Sequence, residues 1–341
     1  TVDIGVEKPF RILHSTDNHI CVADERECER KRDLSSKRAA MFGSPVLGNC
    51  DLFDESVHFA KQNGLVFLST GDICDFVSYG CLDYAKKKLS EVEYIFAPGN
   101  HEFSKFVGEA KEDAAYKADS YDLVQSYFKN DLTADSTVIN GLNIVTLDNS
   151  YYNFTDFQTA FLEKQVKKGL PIALAFHVPI YTEGLYDVQK SGEPGHFCSC
   201  IACPESKMHS FPKDRYEQQF ADKPTLDFVE YAKAQPLIKA VFAGHLHFSA
   251  RIFSTRGRQS RFRSVPTAVF AAPQRLLKSS NVLHSICFCT ERSIKRHERN
   301  YQKVFESAVC FRNSHAGYRT RTSHIPRIFC TDRLLHSRSI G

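Results

Sequence analysis

Five groups of polar residues stand out because each follows directly on a short apolar run: Asp17 with His19, Asp72 with Asp75, Asn100 with His101, His177 alone, and His245 with His247. Imidazole, carboxylate and amide oxygen in one set suit a borderline metal ion such as manganese, iron or zinc, whereas an all-oxygen set would suit magnesium or calcium. A single histidine beyond a strand is more often structural than a ligand. Five groups in the same context make coordination the better expectation. Asp17 and His19 are two residues apart, so an extended backbone would turn both toward one ion. The run Glu93-Tyr94-Ile95-Phe96-Ala97 breaks at Pro98-Gly99 and releases Asn100, His101 and Glu102 in succession, as a buried strand does when it ends in a tight turn.

The elements that must carry these groups are readable from periodicity. Strands are expected at 10–14, 65–68, 93–97, 142–148, 171–176 and 237–243, with helices near 52–62, 79–89, 156–168 and 225–234 and a polar helical region reaching about residue 130. Alternating strands and helices predict an α/β sheet, and open α/β sheets place their ligands at the carboxyl ends of the strands. The charged segment 24–38 reads as a solvated helix or loop.

Taken together, the residues resemble the calcineurin-like metallophosphoesterases. The ordered motifs of that family, D-x-H, GDxxD, GNH[DE], a lone His and GHxH, correspond to Asp17-Asn18-His19, Gly71-Asp72-Ile73-Cys74-Asp75, Gly99-Asn100-His101-Glu102, His177 and Gly244-His245-Leu246-His247. They span residues 10–250. The resemblance implies a four-layer αββα sandwich of two mixed sheets flanked by helices, with the metal site at the strand ends. It also implies a dinuclear centre of manganese, iron or zinc. One metal would be held by Asp17, His19, Asp72 and His247, the other by Asp72, Asn100, His177 and His245, with Asp72 bridging.

Two ions ~3.5–4 Å apart generate a hydroxide at neutral pH and stabilise the attacking and leaving oxygens of an in-line displacement at phosphorus. His101, spared from the metals, would be the general acid, and Asp75 would orient it. A competing reading makes Asp75 the N-cap of the following helix. The Arg-bearing contexts of the protein Ser/Thr phosphatases are missing: Phe76 follows Asp75, and Phe103-Ser104-Lys105 follows Glu102. The resemblance therefore points to hydrolysis of a phosphomonoester or phosphodiester of a small-molecule or nucleotide-like alcohol. The competing functions are a catalytically silent metal-binding module and nucleic-acid binding through a basic tail.

Residues 181–224 form an insert without clear periodicity, expected to line the substrate pocket. It carries His196, Cys198, Cys200 and Cys203, with His209 beyond, a set that could close a tetrahedral zinc site although its spacing matches no familiar pattern.

The net charge of +4 conceals two unlike parts. Residues 251–341 hold 18 Lys and Arg against 4 acids, a net of +14, whereas residues 1–250 hold 26 against 36, a net of −10. Arg:Lys inverts at the same point, from 6:20 to 15:3. This predicts a boundary near 250, with a catalytic domain before it and an Arg/Ser-rich tail after it. That tail is either a basic arm for anionic partners or the product of a shifted reading frame. It is expected to be poorly ordered, without convincing strands beyond Ala268-Val269-Phe270, so that part of the second sheet could be missing. The acidic body opposes nucleic-acid binding.

No apolar run approaches the ~20 residues of a membrane span, and no signal peptide is visible at the N-terminus, although a chain beginning at Thr1 is compatible with a removed leader. Twelve cysteines without a regular framework suit reduced thiols and a cytoplasmic setting.

Overall fold

The structure is a computed structural model. It describes residues 2–3, 6, 10–42, 48–108, 112–190, 199–209, 211–247, 283–286 and 309–312. The strands are β1 (Val2–Asp3), β2 (Arg11–Thr16), β3 (Val66–Ser69), β4 (Tyr94–Phe96), β5 (Ala134–Ile139), β6 (Leu142–Leu147), β7 (Ile172–Ala175), β8 (Ile238–Phe242), β9 (Leu283–Ile286) and β10 (Val309–Arg312). The α-helices are α1 (Glu29–Phe42), α2 (Asn49–Gln62), α3 (Tyr79–Leu89), α4 (Ala114–Gln125), α5 (Asp156–Val166), α6 (Glu183–Lys190), α7 (Lys213–Gln219) and α8 (Lys223–Ala234).

Two mixed sheets form. The first runs β1-β10-β2-β3-β4, with β2, β3 and β4 parallel and β9 also pairing with β2; the second runs β5-β6-β7-β8. Alternate residues of each strand enter different cores, because a strand turns successive side chains to opposite faces. Leu13, Phe67 and Phe96 join residues of α2 and α3, such as Phe53 and Leu82, on the outer face of the first sheet. Val145, Leu174 and Val241 join Leu162 and Phe228 of α5 and α8 on the outer face of the second. Ile12, Leu68 and Ile95 meet Ile144, Ala173, Ala175, Ala240 and Phe242 between the sheets. Three separate cores are what an αββα sandwich requires. Burial on both faces also explains why the strands read as continuous apolar runs rather than alternating ones.

Strand β5 went unread in the sequence. It pairs antiparallel with β6 across Asn140-Gly141, whose φ values are 47° and 83°. Asn-Gly between two runs is a strong hairpin signal, but polar Asp135, Ser136 and Thr137 hid the strand's period. The tail also departs from expectation: β9 and β10 lie antiparallel to β2, pairing Leu283 with Thr16 and Val309 with Ile12. Four-residue runs such as Leu-His-Ser-Ile are too short to show a period within an Arg/Ser-rich stretch. Residues 268–270 lie outside the described residues. The insert is partly helical, since α6 and α7 fall within it.

Candidate metal centre

The loops after β2, β3, β4, β7 and β8 converge at one edge of the sandwich. The first two are stitched by backbone hydrogen bonds from Asp17 N to Gly71 O (3.0 Å), His19 N to Asp72 O (2.9 Å) and Ile20 N to Ile73 O (2.7 Å). Asp17 and His19 do not lie on extended backbone. Their φ values are 55° and 49°, and Asp72, His245 and His247 also take positive φ. Left-handed backbone is uncommon outside glycine and costs about 1–3 kcal/mol per residue. Five of the eight described non-glycine residues with positive φ are thus candidate ligands, so the sharp turns needed to gather them carry backbone strain.

Close packing explains two of the glycines. A Cβ at Gly99 would overlap Asp72 Oδ1, and one at Gly244 would overlap Thr16 Oγ1.

Two clusters meet at Asp72. Asp17, His19, Asp72 and His247 form one and Asp72, His177 and His245 the other, and a third group, His19, Asp75 and His101, adjoins the first through His19; within each, the potential ligand atoms lie within 4.8 Å of one another. Asp72 belongs to the first two. Its Oδ2 is 3.1 Å from His177 Nε2 and 3.9 Å from His19 Nε2. His19 and His247 face each other Nε2 to Nε2 at 3.1 Å, and His245 Nδ1 faces His177 Nε2 at 3.2 Å. Asn100 Oδ1 is buried with no hydrogen-bond partner, while its Nδ2 donates to Glu112 Oε1 at 2.9 Å. An orphaned amide oxygen, paired imidazoles and a shared carboxylate fit the donor chemistry of two divalent cations.

Burial governs the protonation states. It pushes His247 down to about 4 and His19 and His245 downward as well, leaving these imidazoles neutral, as coordination requires. Burial opposes charge on His177 and His101 too, but the neighbouring carboxylates together outweigh it, Asp72 with Asp17 at His177 and Asp72 with Asp75 at His101, lifting them to about 9 and about 10; coordination by His177 would release its proton. Asp72 itself lies well below the usual carboxylate range: burial raises it, and the charges of His177 and His101 pull it down. His14, on β2, is pushed by burial to about 3; its Nε2 bonds Thr70 Oγ1 at 2.8 Å, so it is a core histidine.

His101 projects beside the clusters. Its Nδ1 donates to the Asp75 carbonyl oxygen at 2.7 Å and lies 3.3 Å from Asp75 Oδ1. A carbonyl can only accept, so the proton on Nδ1 is assigned by its partner. Asp75 is not a helix cap, because Ser78 caps α3 by accepting from Cys81 N. Instead the Asp75 carboxylate accepts from His19 Nδ1 at 2.9 Å and from Arg38 Nε and Nη2 at 2.6 and 2.8 Å.

Several of these partners were missed in the sequence. Arg38 lies in the segment read as a solvated face, and Phe42 on the same helix stacks on His19 with ring centroids 4.4 Å apart. Tyr152 Oη bonds His245 Nε2 at 2.6 Å, and Asn149 Oδ1 accepts from His177 N at 3.0 Å. No local spacing marks them, since each is defined by a contact across the fold.

Glu102 was part of a motif but carried no assigned role. Its Oε2 accepts from Asp72 N and Gly99 N, both at 2.7 Å, and its Oε1 from Cys74 N at 3.0 Å. Burial and the Asp72 charge push this acid up to about 7, against the pull of three amides. Glu102→Gln would turn an NH2 group toward an N–H donor whichever way its amide lies. The expected loss is about 2–3 kcal/mol of unfolding free energy, measured by urea titration of the metal-free chain. A loss below about 0.5 kcal/mol would remove Glu102 from this role.

In the insert, Cys200 and Cys203 are buried within the outer core, and Cys200 Sγ accepts from Gln189 Nε2 at 3.2 Å. Cys198 and His196 lie outside the described residues. His209 is exposed, with Nδ1 bonded to Ser206 O at 3.0 Å. Among the described residues, neither Cys200 nor Cys203 joins a cluster able to hold an ion.

A family model for calcineurin-like phosphoesterases matches residues 10–249. The chain is a calcineurin-like phosphoesterase. As a member of that family it is a phosphoester hydrolase with metal-dependent chemistry. Among curated proteins nothing matches this phosphoesterase.

Similar solved structures include a dimetal phosphatase from Danio rerio, at 12% identity and TM-score 0.42, covering 80% of this chain and 92% of the other. A putative 5'-nucleotidase from Staphylococcus aureus has 11% identity and TM-score 0.40, covering 81% and 50%. A phosphopantetheinyl hydrolase from Mycobacterium tuberculosis has 10% identity and TM-score 0.35, covering 82% and 98%. Among the described residues of the phosphoesterase, no helix is long and apolar enough to cross a membrane.

Proposed function

We propose that the chain hydrolyses a small-molecule or nucleotide-like phosphate ester at a two-cation centre of manganese, iron or zinc. Asp17, His19, Asp72 and His247 hold one cation, and Asp72, Asn100, His177 and His245 hold the other. The observation that carries the reading is the pair of clusters meeting at Asp72. When bound, the cations supply an activated water at neutral pH and positive charge toward the phosphoryl oxygens.

The remaining work falls to the chain's own residues. His101, with Nδ1 engaged by the Asp75 carbonyl, has Nε2 left to deliver a proton to the leaving oxygen. The Asp75 carboxylate favours the protonated imidazole, and Arg38 holds that carboxylate in place. A cavity of about 450 Å³ opens beside His101, lined in part by Ser104, Phe106, Tyr116 and Arg215. This volume suits a small leaving group rather than a folded protein partner.

The test is turnover of p-nitrophenyl phosphate and bis(p-nitrophenyl) phosphate by the full chain, first stripped with chelator and then reloaded with manganese. Release is expected only in the reloaded protein, with the ratio of the two rates naming the ester class. A reloaded chain that binds two cations yet releases nothing above the stripped one would instead be a silent metal-binding module.

A further inference from the structure

We infer that Glu112 is a positioning residue for the second cation: it sets the direction of the Asn100 amide and is itself held by α7 of the insert. This rests on the reading above that Asn100 is a ligand. Asn100 Nδ2 donates to Glu112 Oε1 at 2.9 Å. A carboxylate can only accept, so it fixes the amide nitrogen on its own side and turns Oδ1 the other way. That oxygen sits in a residue only 7% exposed and has no hydrogen-bond partner. A buried acceptor left unpaired costs about 1–3 kcal/mol, and a cation on that side would remove the cost.

The other oxygen of Glu112 accepts from Gln218 Nε2, and Gln218 Oε1 accepts from Arg215 Nη1 at 2.8 Å. Arg215 and Gln218 are three apart on α7, so they share a face. The relay Arg215–Gln218–Glu112–Asn100 therefore has one consistent polarity: every donor meets an acceptor, and the oxygen left over at its end belongs to Asn100. All four residues line the cavity beside His101. The insert thereby shapes the centre through α7. Partners of this kind, bonded to a ligand rather than to the metal, typically account for 10–100-fold in metal affinity.

The test is calorimetric titration of the stripped full-length chain with manganese, in which the wild type is expected to show two binding steps. Glu112→Ala is expected to weaken the second step about 10–100-fold and leave the first unchanged. In an Asn100→Ala background the same substitution should have no further effect on the second step, because there is no amide left to orient. A merely structural role would not produce that non-additivity. Gln218→Ala, which spares Glu112, should weaken the same step less, and it keeps the inference testable if Glu112→Ala fails to fold.

Should Asn100→Ala weaken the second step while Glu112→Ala does not, the inference falls and the two-cation reading stands. Equal weakening of both steps by Glu112→Ala, or undiminished weakening in the Asn100→Ala background, would likewise overturn it. If Asn100→Ala leaves both steps intact, the ligand assignment itself is wrong.

Discussion

His101→Ala is expected to lower kcat on alkyl phosphate esters by about 10²–10⁴-fold while two cations remain bound. The proton matters most when the leaving alkoxide is a poor one, so the loss should shrink on p-nitrophenyl phosphate, whose phenolate departs without help. Cation binding should survive because the contact from this residue to Asp72 is made by its backbone N–H, 2.9 Å from Oδ1, which alanine retains. The variant also keeps the Asp75–Arg38 pair and the Asp75–His19 bond, so the first cluster loses no hydrogen bond. Steady-state kinetics on both esters, with manganese stoichiometry measured alongside, checks the prediction. An equal loss on both esters, or the loss of a cation, would remove His101 from the role of general acid.

The parts of this molecule legible in sequence are those in which local order and function coincide. Runs such as Val66-Phe67-Leu68 and Ile172-Ala173-Leu174-Ala175 announce themselves because both faces of each strand are buried, and the polar residue after each run marks the carboxyl edge. The order of those residues along the chain sufficed for the family and the αββα architecture. The way Asp17 and His19 converge was read wrongly. Alternation along an extended backbone was the premise, whereas both residues adopt left-handed φ, a conformation that spacing does not encode.

Charge patterning misled in a different manner. In the segment containing Arg38 most side chains face water, so composition alone reads as a solvated helix. A single guanidinium from it nonetheless reaches Asp75, 37 residues away in sequence. Glu112 and Tyr152 share that character: each matters for the atom it touches, and those contacts exist only after the sheets have packed. Asn140-Gly141 is the contrasting case, since its local turn signal was present and the polar strand before it masked the hairpin.

Asp72→Asn is expected to cost the most. The substitution keeps the size of the side chain and an oxygen able to accept from His101 N, but an amide oxygen carries no charge to share between two cations. Losing both removes the activated water and the charge facing the phosphoryl oxygens, each worth several kcal/mol. At 1.36 kcal/mol per tenfold, kcat/KM should fall by at least about 10⁴-fold.

The same change should not unfold the stripped protein. Against the upward push of burial, Asp72 is held well below the usual carboxylate range by the charges of His177 and His101, so removing its charge costs the stripped protein some stability. The cost is offset only in part by relief of its repulsion with Asp17, which burial first and the Asp72 charge after it push upward. What should vanish is stabilisation by metal. For the wild type, free manganese at 100 times its dissociation constant adds about 2.7 kcal/mol, visible as a rise in Tm that Asp72→Asn should lack. A variant that retained this rise and bound two manganese ions at wild-type affinity would show that Asp72 does not join the clusters, leaving two independent sites where the mechanism needs one shared centre.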